Sequence, residues 1–291
     1  MTRSLLAGLL VSCTVVCGMA NAGIVTSLLS ADNTTNDQVQ DKSLGYVLDL
    51  DSNGKIDSGD IGWGLIRIDK IENVNVGNKV FIVYAAQVSS DSSPFTHTFV
   101  DEFEAYSLKS ILGATVGAPI DYSIGIGPLA VLLETPADIT ITGLDFDGSS
   151  NTLKPSQLKA AIQTAFASAQ LIATFGLKDP QDYFQLTGSG STLNQELELS
   201  VLQSFVGPVT DWKALFDPFG LDGQDWTDNE VAIKPGTLEV LDVKNDEGRY
   251  FTTADSGTYH VNYVPEPASM IGLVSLGLAG AGLGFTRRRK S

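Results

Sequence analysis

Cysteine and histidine are nearly absent from this sequence of 291 residues. The two cysteines, Cys13 and Cys17, lie near the amino terminus, and the two histidines, His97 and His260, are far apart in the chain. A disulfide framework is therefore excluded for everything that follows Cys17. Zinc clusters and histidine-activated nucleophiles also lack support, because neither histidine has an acid and a nucleophile beside it in a recognisable motif.

Basic residues are scarce outside the two ends of the chain. The sequence has 34 acidic and 18 basic residues and a formal net charge of −16. Every acidic residue lies between positions 23 and 267, whereas the terminal segments contain Arg3, Arg287, Arg288, Arg289 and Lys290. The interior is thus more acidic than the net charge alone indicates. Such a surface repels nucleic acid and anionic lipid, which argues against either as a partner of the mature part, and it attracts divalent cations.

Residues 1–22 have the pattern of a removable secretory signal. A short basic start precedes an apolar segment, and the small residues Ala20 and Ala22 come directly before Gly23. This order predicts cleavage by signal peptidase after Ala22. Cys13 offers an alternative, because a small residue followed by cysteine is typical of lipidated bacterial proteins. The apolar segment continues well past Cys13, which favours the first interpretation and a mature chain without any thiol.

The carboxyl-terminal segment combines two prolines, an apolar run and a basic end. Residues 268–285 contain no charge, and a helix of this length is near the lower limit for crossing about 30 Å of hydrocarbon. The basic cluster at 287–290 favours a cytoplasmic carboxyl terminus, which places residues 23–263 on the outer side of the membrane. Pro265 and Pro267 disfavour helix, so the junction is expected to be extended and accessible to a protease.

The sequence Pro265-Glu266-Pro267, followed by an apolar span and a basic end, resembles the PEP-CTERM sorting signal of Gram-negative bacteria over residues 264–291. The resemblance implies recognition by exosortase, a membrane-embedded cysteine peptidase thought to cut near the Pro-Glu-Pro sequence and transfer the protein outward. It also implies a precursor tethered in the inner membrane and a product at the cell surface or in the extracellular matrix. The family is associated with biofilm and exopolysaccharide, which makes exopolysaccharide an implied partner.

Between the two terminal signals, residues 23–263 contain many short runs that favour β-structure. Apolar and polar residues alternate in several of them, and Gly, Asn, Asp and Pro separate them, as turns require. The predicted strands are 46–50, 79–87, 96–103, 138–142, 196–202, 231–233, 237–243 and 258–263. This pattern predicts a mainly β, antiparallel sandwich-like domain.

One interior segment, residues 154–176, favours a helix instead. Leu158, Ile162 and Phe166 recur at helical spacing, and further apolar residues extend the stripe to position 175. Pro155 stands near the start and Gly176 at the end, as expected for helix boundaries. The sequence therefore predicts one amphipathic helix that covers part of the sheet.

Residues 49–60, with the sequence DLDSNGKIDSGD, have the spacing of an EF-hand-type calcium loop. Gly54 occupies the tight-turn position, and Ile56 is the apolar residue that follows it. The segment resembles the loops of dockerin modules, which also close with Asp. The candidate Ca²⁺ ligands are the side chains of Asp49, Asp51, Asn53, Asp57 and Asp60 and the carbonyl of Lys55.

The resemblance to dockerins is confined to this one loop. No second copy follows, and Gly59, Gly62 and Gly64 weaken the helix that leaves an EF-hand loop. Cohesin binding is therefore not implied. The alternative for the segment is an acidic turn that holds no metal.

These features predict a secreted, non-enzymatic protein that exosortase sorts and that calcium stabilises at one loop. Two other classes stay open. A carbohydrate-binding adhesin requires Trp63, Trp212 or Trp226 to be exposed for stacking on sugar rings. An extracellular hydrolase requires two carboxyl groups about 5 to 10 Å apart in a cleft, and no motif identifies such a pair.

Overall fold

The computed structural model describes residues 37–71, 74–88, 95–96, 105–125, 127–148, 150–178, 183–189, 192–206, 230–244 and 247–261. Within these ranges the chain forms ten strands and two helices. In chain order they are β1 Asp37–Leu48, β2 Ile61–Ile71, β3 Val74–Val88, β4 Phe95–Thr96, α1 Leu108–Gly117, β5 Pro128–Glu134, α2 Pro155–Ala165, β6 Gln170–Gly176, β7 Tyr183–Ser189, β8 Thr192–Ser204, β9 Glu230–Lys244 and β10 Tyr250–Val261.

The strands belong to one antiparallel sheet whose pairing is cyclic. Neighbours follow the order β2, β1, β10, β9, β8, β6, β5 and β3, and β3 pairs in turn with β2. The short β4 adds to β3, and β7 adds to β8. The prediction of a mainly β, antiparallel fold is therefore confirmed. The described strands form one continuous sheet, however, and not the two packed sheets of a sandwich.

Apolar side chains cover both faces of the sheet because successive residues of a strand point to opposite sides. In β3, Phe81 and Val83 belong to the cluster that also contains the buried residues of the helices. Val80 of the same strand belongs to a second cluster on the other face, and the half-buried Ile82 packs against that cluster. Two apolar cores therefore share this strand, which explains why its sequence is apolar at consecutive positions.

The two helices pack on the first of these clusters. In α2, Leu158 and Ile162 are fully buried, and Phe166, directly after the helix, completes the same stripe. Ser107 caps the start of helix α1, because its side chain accepts a hydrogen bond from the backbone N–H of Ser110 at 3.2 Å. Within residues 23–263 the sequence predicted one amphipathic helix only. Helix α1 was missed because it is short and Gly113, with φ of 72°, breaks its helical backbone.

The helix predicted over 154–176 is correct only as far as residue 165. Residues 170–176 form β6, which pairs with β5 and β8. Leu171, Ile172 and Ala173 are buried at consecutive positions, on both faces of the strand. Burial on both faces is typical of a central strand, whereas an amphipathic helix would expose part of the segment. Tertiary packing therefore overrides the helical spacing here.

Most of the predicted strand 96–103 lies outside the described residues. Two other strand predictions need correction. Residues 138–142 form no strand. The N–H of Ile139 donates to the carbonyl of Asn78 in β3 at 2.8 Å, and the carbonyl of Ile141 accepts from the N–H of Leu144 at 3.1 Å in a turn. The separate strands 231–233 and 237–243 are one strand, β9. Its register against β8 shifts between Gln195 and Leu197, and this bulge accommodates Pro235, which has no N–H to donate.

Candidate functional site

The acidic segment 49–60 forms the loop of the β1–β2 hairpin. Leu48 and Ile61 pair at its base, and the backbone takes positive φ angles at Ser52 and Gly54, of 60° and 85°. Glycine adopts such angles without strain, so Gly54 stands where the spacing predicted a tight turn. The loop joins two paired strands, whereas an EF-hand loop joins two helices. The likeness to dockerins is therefore local.

The first candidate ligand, Asp49, is buried and organises the first half of the loop. The residue is 3% exposed. Its Oδ1 accepts a hydrogen bond from the backbone N–H of Asn53 at 3.1 Å, and its Oδ2 accepts one from Gly54 at 2.8 Å. These bonds bend the chain around the carboxylate. Asp49 therefore combines buried negative charge with a structural role.

The last candidate ligand, Asp60, holds the other end of the loop. Its Oδ1 accepts from the N–H of Leu50 and its Oδ2 from the N–H of Asp57, both at 3.0 Å. Burial raises the pKa of Asp60 to about 6, against the effect of these bonds, and the negative charges of Asp57 and Asp49 add to the rise. A bound cation would favour the ionised carboxylate and offset this desolvation.

The exposed middle of the loop is organised by Asn53. Its Nδ2 donates to Oδ2 of Asp51 at 2.8 Å and to Oδ2 of Asp57 at 2.5 Å. Its Oδ1 accepts from the backbone N–H of Lys55 at 2.8 Å. Two carboxylates thus converge on a single amide nitrogen. The structure brings the candidate ligands into one loop and connects them by hydrogen bonds.

A residue that the sequence did not single out, Arg249, contacts the same loop from the turn between β9 and β10. Its backbone carbonyl accepts from the N–H of Asp49 at 3.1 Å, and its Nε lies 3.3 Å from Oδ2 of Asp49. One terminal nitrogen donates to the carbonyl of Ser52 at 3.4 Å. Because Arg249 is 197 residues from Ser52 in the chain, no local pattern could have identified this contact.

The same turn also contacts α2. The carboxylate of Glu247 accepts hydrogen bonds from the backbone N–H of Ser156 at 2.8 Å and from its hydroxyl at 2.5 Å. Ser156 is in the first turn of α2, where unpaired N–H groups and the helix dipole favour an acidic partner. The β9–β10 turn therefore connects the acidic loop to the start of a helix.

The donor atoms of the loop are of the kind that calcium prefers. Carboxylate, amide and carbonyl oxygens are hard ligands, and the candidate positions supply no nitrogen or sulfur ligand. Across the residues that the structure describes, no three His, Cys, Asp or Glu side chains are grouped closely enough to hold a metal ion. Hydrogen bonds within the loop hold these oxygens instead. The loop therefore fits calcium in donor chemistry, and the ion itself stays a prediction.

Of the three tryptophans considered for stacking on sugar rings, the structure describes only Trp63. Trp63 is fully buried, and its ring stacks on that of Tyr106 with centroids 5.5 Å apart. It therefore serves as core and is unavailable to a ligand. Trp212 and Trp226 lie outside the described residues.

A groove of about 690 Å³ runs along α1, and its walls consist mainly of small residues together with Lys109, Ile120 and Tyr122.

The terminal sorting features lie outside the described residues. These features are the signal segment 1–22 with Ala20, Ala22 and Gly23, the Pro265-Glu266-Pro267 sequence, the predicted membrane helix 268–285, and the basic residues 287–290. Among the helices that the structure describes, none is long and apolar enough to cross a membrane. The membrane helix thus stays a prediction from the sequence.

Comparison with known proteins gives one match. Residues 264–290 match the PEP-CTERM protein-sorting motif. No curated protein and no solved structure is significantly similar to the chain. The match covers the segment in which the Pro-Glu-Pro sequence, the apolar span and the basic end occur together. The chain therefore carries a PEP-CTERM sorting motif, which implies an exosortase-sorted protein directed to the cell surface or beyond.

Proposed function

We propose that this chain is a non-enzymatic component of an extracellular exopolysaccharide or biofilm matrix, delivered there by exosortase. The observation that carries the proposal is the PEP-CTERM motif at residues 264–290. The strongly acidic interior supports it, because an acidic surface suits a hydrated matrix rich in divalent cations. Near absence of histidine and cysteine from that interior leaves few groups for nucleophilic or transition-metal catalysis.

In this proposal the tail acts as a temporary tether. After removal of residues 1–22, the helix 268–285 holds the precursor in the inner membrane, with the basic residues 287–290 in the cytoplasm. Exosortase then cuts near Pro265-Glu266-Pro267 and releases the folded part. The low hydrophobicity of the Gly-rich and Ala-rich span suits a helix that is held only until it is processed.

Sorting is tested by replacing both prolines of the motif with alanine, Pro265→Ala with Pro267→Ala, in a host that has exosortase. We expect the wild-type chain in the medium or matrix without its basic tail, and the double variant in the inner membrane with an intact carboxyl terminus. Mass spectrometry of the carboxyl-terminal peptide distinguishes the two. Pro136→Ala, an exposed proline outside the tail, is the control. An intact tail on wild-type protein in the medium would contradict the proposal.

We further propose that calcium stabilises the loop 49–60. The ligands would be Asp49, Asp51, Asn53, Lys55 through its carbonyl, Asp57 and Asp60. When bound, the ion would supply positive charge to a loop that concentrates four carboxylates at the end of the β1–β2 hairpin. Buried Asp49 and Asp60 gain most from this charge, because solvent screens them least.

The calcium proposal is tested by thermal unfolding of the exported protein with and without millimolar calcium. A ligand present at 100 times its Kd adds about 2.7 kcal/mol of stability, which for a domain of this size raises the melting temperature by roughly 5 to 10 °C. Asp51→Ala, which removes an exposed candidate ligand, is expected to reduce this rise, and Asp49→Asn to abolish it. Asp147→Ala removes a carboxylate elsewhere and should leave it intact. A melting temperature that does not change with calcium would contradict the proposal and support the alternative of a metal-free turn.

A further inference from the structure

The guanidinium of Arg249 already supplies positive charge to the acidic loop. It lies 3.3 Å from Oδ2 of Asp49, whose side chain is fully buried, whereas the side chain of Arg249 is 33% exposed. A buried carboxylate without a counter-charge is strongly unfavourable, so this pair stabilises the loop in the absence of any metal. The position of the Arg249 charge matters for calcium binding, because it lies at a carboxylate that is also a proposed ligand of the ion.

The backbone fixes Arg249 at this place. The N–H of Asp49 bonds to the carbonyl of Arg249, and Leu48 pairs with Tyr250 in the adjacent register position of β1 and β10. The guanidinium lies directly over the turn at Gly54, where a Cβ atom would come within 2.6 Å of a terminal nitrogen of Arg249. The arginine therefore rests against the part of the loop that would surround the ion.

The side-chain contact is less well formed than the backbone contact. The Nε atom is buried, yet within the described structure it makes no aligned hydrogen bond, despite its 3.3 Å distance from the carboxylate of Asp49. The side chain also has a partly exposed route to solvent. The guanidinium can thus leave Asp49 without disturbing the strand pairing that holds its backbone.

We propose that Arg249 is an internal cation that competes with calcium for Asp49 and thereby sets the calcium affinity of the loop. This inference rests on the calcium site proposed above. A guanidinium and a divalent ion at the same carboxylate repel each other, so binding of calcium requires the side chain to move away from Asp49. Arg249 thus keeps the loop folded when calcium is scarce and lowers its affinity when calcium is present.

The experiment measures calcium affinity and calcium-free stability for three forms of the exported protein: wild type, Arg249→Gln and Lys42→Gln. Lys42 pairs with Asp147 at 2.6 Å, so its replacement removes the same unit of charge from an exposed pair outside the loop. We expect Arg249→Gln to bind calcium about tenfold more tightly or better, because a unit charge within a few ångström of the ion is removed. It should also melt at a lower temperature than wild type without calcium.

The outcomes separate this inference from the calcium proposal itself. Tighter binding by Arg249→Gln alone supports the inference, as does binding by Arg249→Gln when wild type binds none. Equal affinity in all three forms overturns the inference and leaves the calcium site in place. Absence of binding in every form, measured by titration calorimetry, overturns both. An equal gain in Lys42→Gln would show an effect of net charge and would also overturn the inference.

Discussion

The hydroxyl of Tyr46 connects β1 to the segment that leads into α2. It donates a hydrogen bond to the carbonyl of Leu153 at 2.8 Å and accepts one from Nδ2 of Asn151 at 3.1 Å. The ring contacts those of Trp63 and Tyr250, with centroids 5.4 and 5.3 Å away. Burial of this phenol raises its pKa to about 12, since ionisation would place a charge among aromatic rings.

This pKa predicts a loss of stability in alkali. The unfolded phenol ionises near pH 10 and the folded one near pH 12, so the contribution of Tyr46 is complete below pH 10 and disappears as the pH rises through about 12. Tyr46→Phe should flatten the fall in unfolding free energy over that range. It should also lower stability at pH 8 by about 1 kcal/mol through its lost hydrogen bonds.

Urea unfolding at several pH values and the phenolate absorbance near 295 nm measure the two effects. Burial also raises the pKa of Tyr122 to about 12, so Tyr122→Phe is a suitable comparison. Both variants should reduce the fraction of tyrosine that ionises late. Only Tyr46→Phe should break the contact with Leu153. A late-ionising fraction unchanged in Tyr46→Phe would show that this phenol is accessible to water.

At the scale of elements, the β9–β10 turn connects parts of the molecule that are distant in sequence. Glu247, with φ of 59°, accepts two hydrogen bonds from Ser156 of α2, and Arg249 contacts Asp49. Both contacts are to groups that need an opposite charge or a hydrogen-bond partner: an N-terminal helix turn and a buried carboxylate. The turn therefore fixes the start of α2 and the loop 49–60 in position relative to the β9–β10 pair.

Loss of the contact with Ser156 should weaken α2. Glu247→Ala removes the acceptor for the backbone N–H and for the hydroxyl of Ser156, and replacement of such caps costs about 0.5 to 2 kcal/mol. Ser156→Ala keeps the N–H bond and loses only the hydroxyl. Chemical denaturation of both single variants and of the double variant should therefore give non-additive losses. Additive losses would mean that the two residues stabilise the protein independently.

Local patterns in the sequence predicted those elements whose structure is determined locally. The tight turn at Gly54 and the start of α2 at Pro155 follow from backbone preferences of single residues. Strand β2 was missed because Gly62 and Gly64 weaken strand propensity. In the structure Gly64 faces Gly45 across the β1–β2 pair, and a Cβ on Gly64 would lie 2.5 Å from the carbonyl oxygen of Leu44. Close backbone approach therefore requires glycine there.

The candidate site was predictable only in part, because local patterns do not reveal contacts between residues that are far apart in the chain. Its ligands lie within one short segment, so their spacing was visible in the sequence. Arg249 approaches through the pairing of β1 with β10, whose residues are far apart in the chain. Burial on both faces likewise makes residues 170–176 a strand, β6, although the helical spacing of Ile172 and Phe175 predicted a helix. Contacts of this kind depend on the closed sheet and have no local signal.

At the scale of the whole molecule, β10 is central to the sheet. It pairs with β1 over its full length and with β9 through its first half, so it completes the cyclic order of strands. The strand ends at Val261, and the matched sorting motif begins at residue 264. Cleavage near the Pro-Glu-Pro sequence would therefore remove the tail without removing any residue of the described sheet.

This arrangement predicts that the folded part does not depend on its tail. A chain of residues 23–263 keeps β10 and should be soluble and unfold in a single cooperative transition. A chain of residues 23–248 lacks β10, which leaves the facing edges of β1 and β9 without their partner, and exposed strand edges promote aggregation. Circular dichroism during heating and size-exclusion chromatography compare the two chains. If 23–263 failed to fold while a chain that keeps residues 264–291 folded, the tail would be part of the domain, and release by cleavage would leave an unstable product.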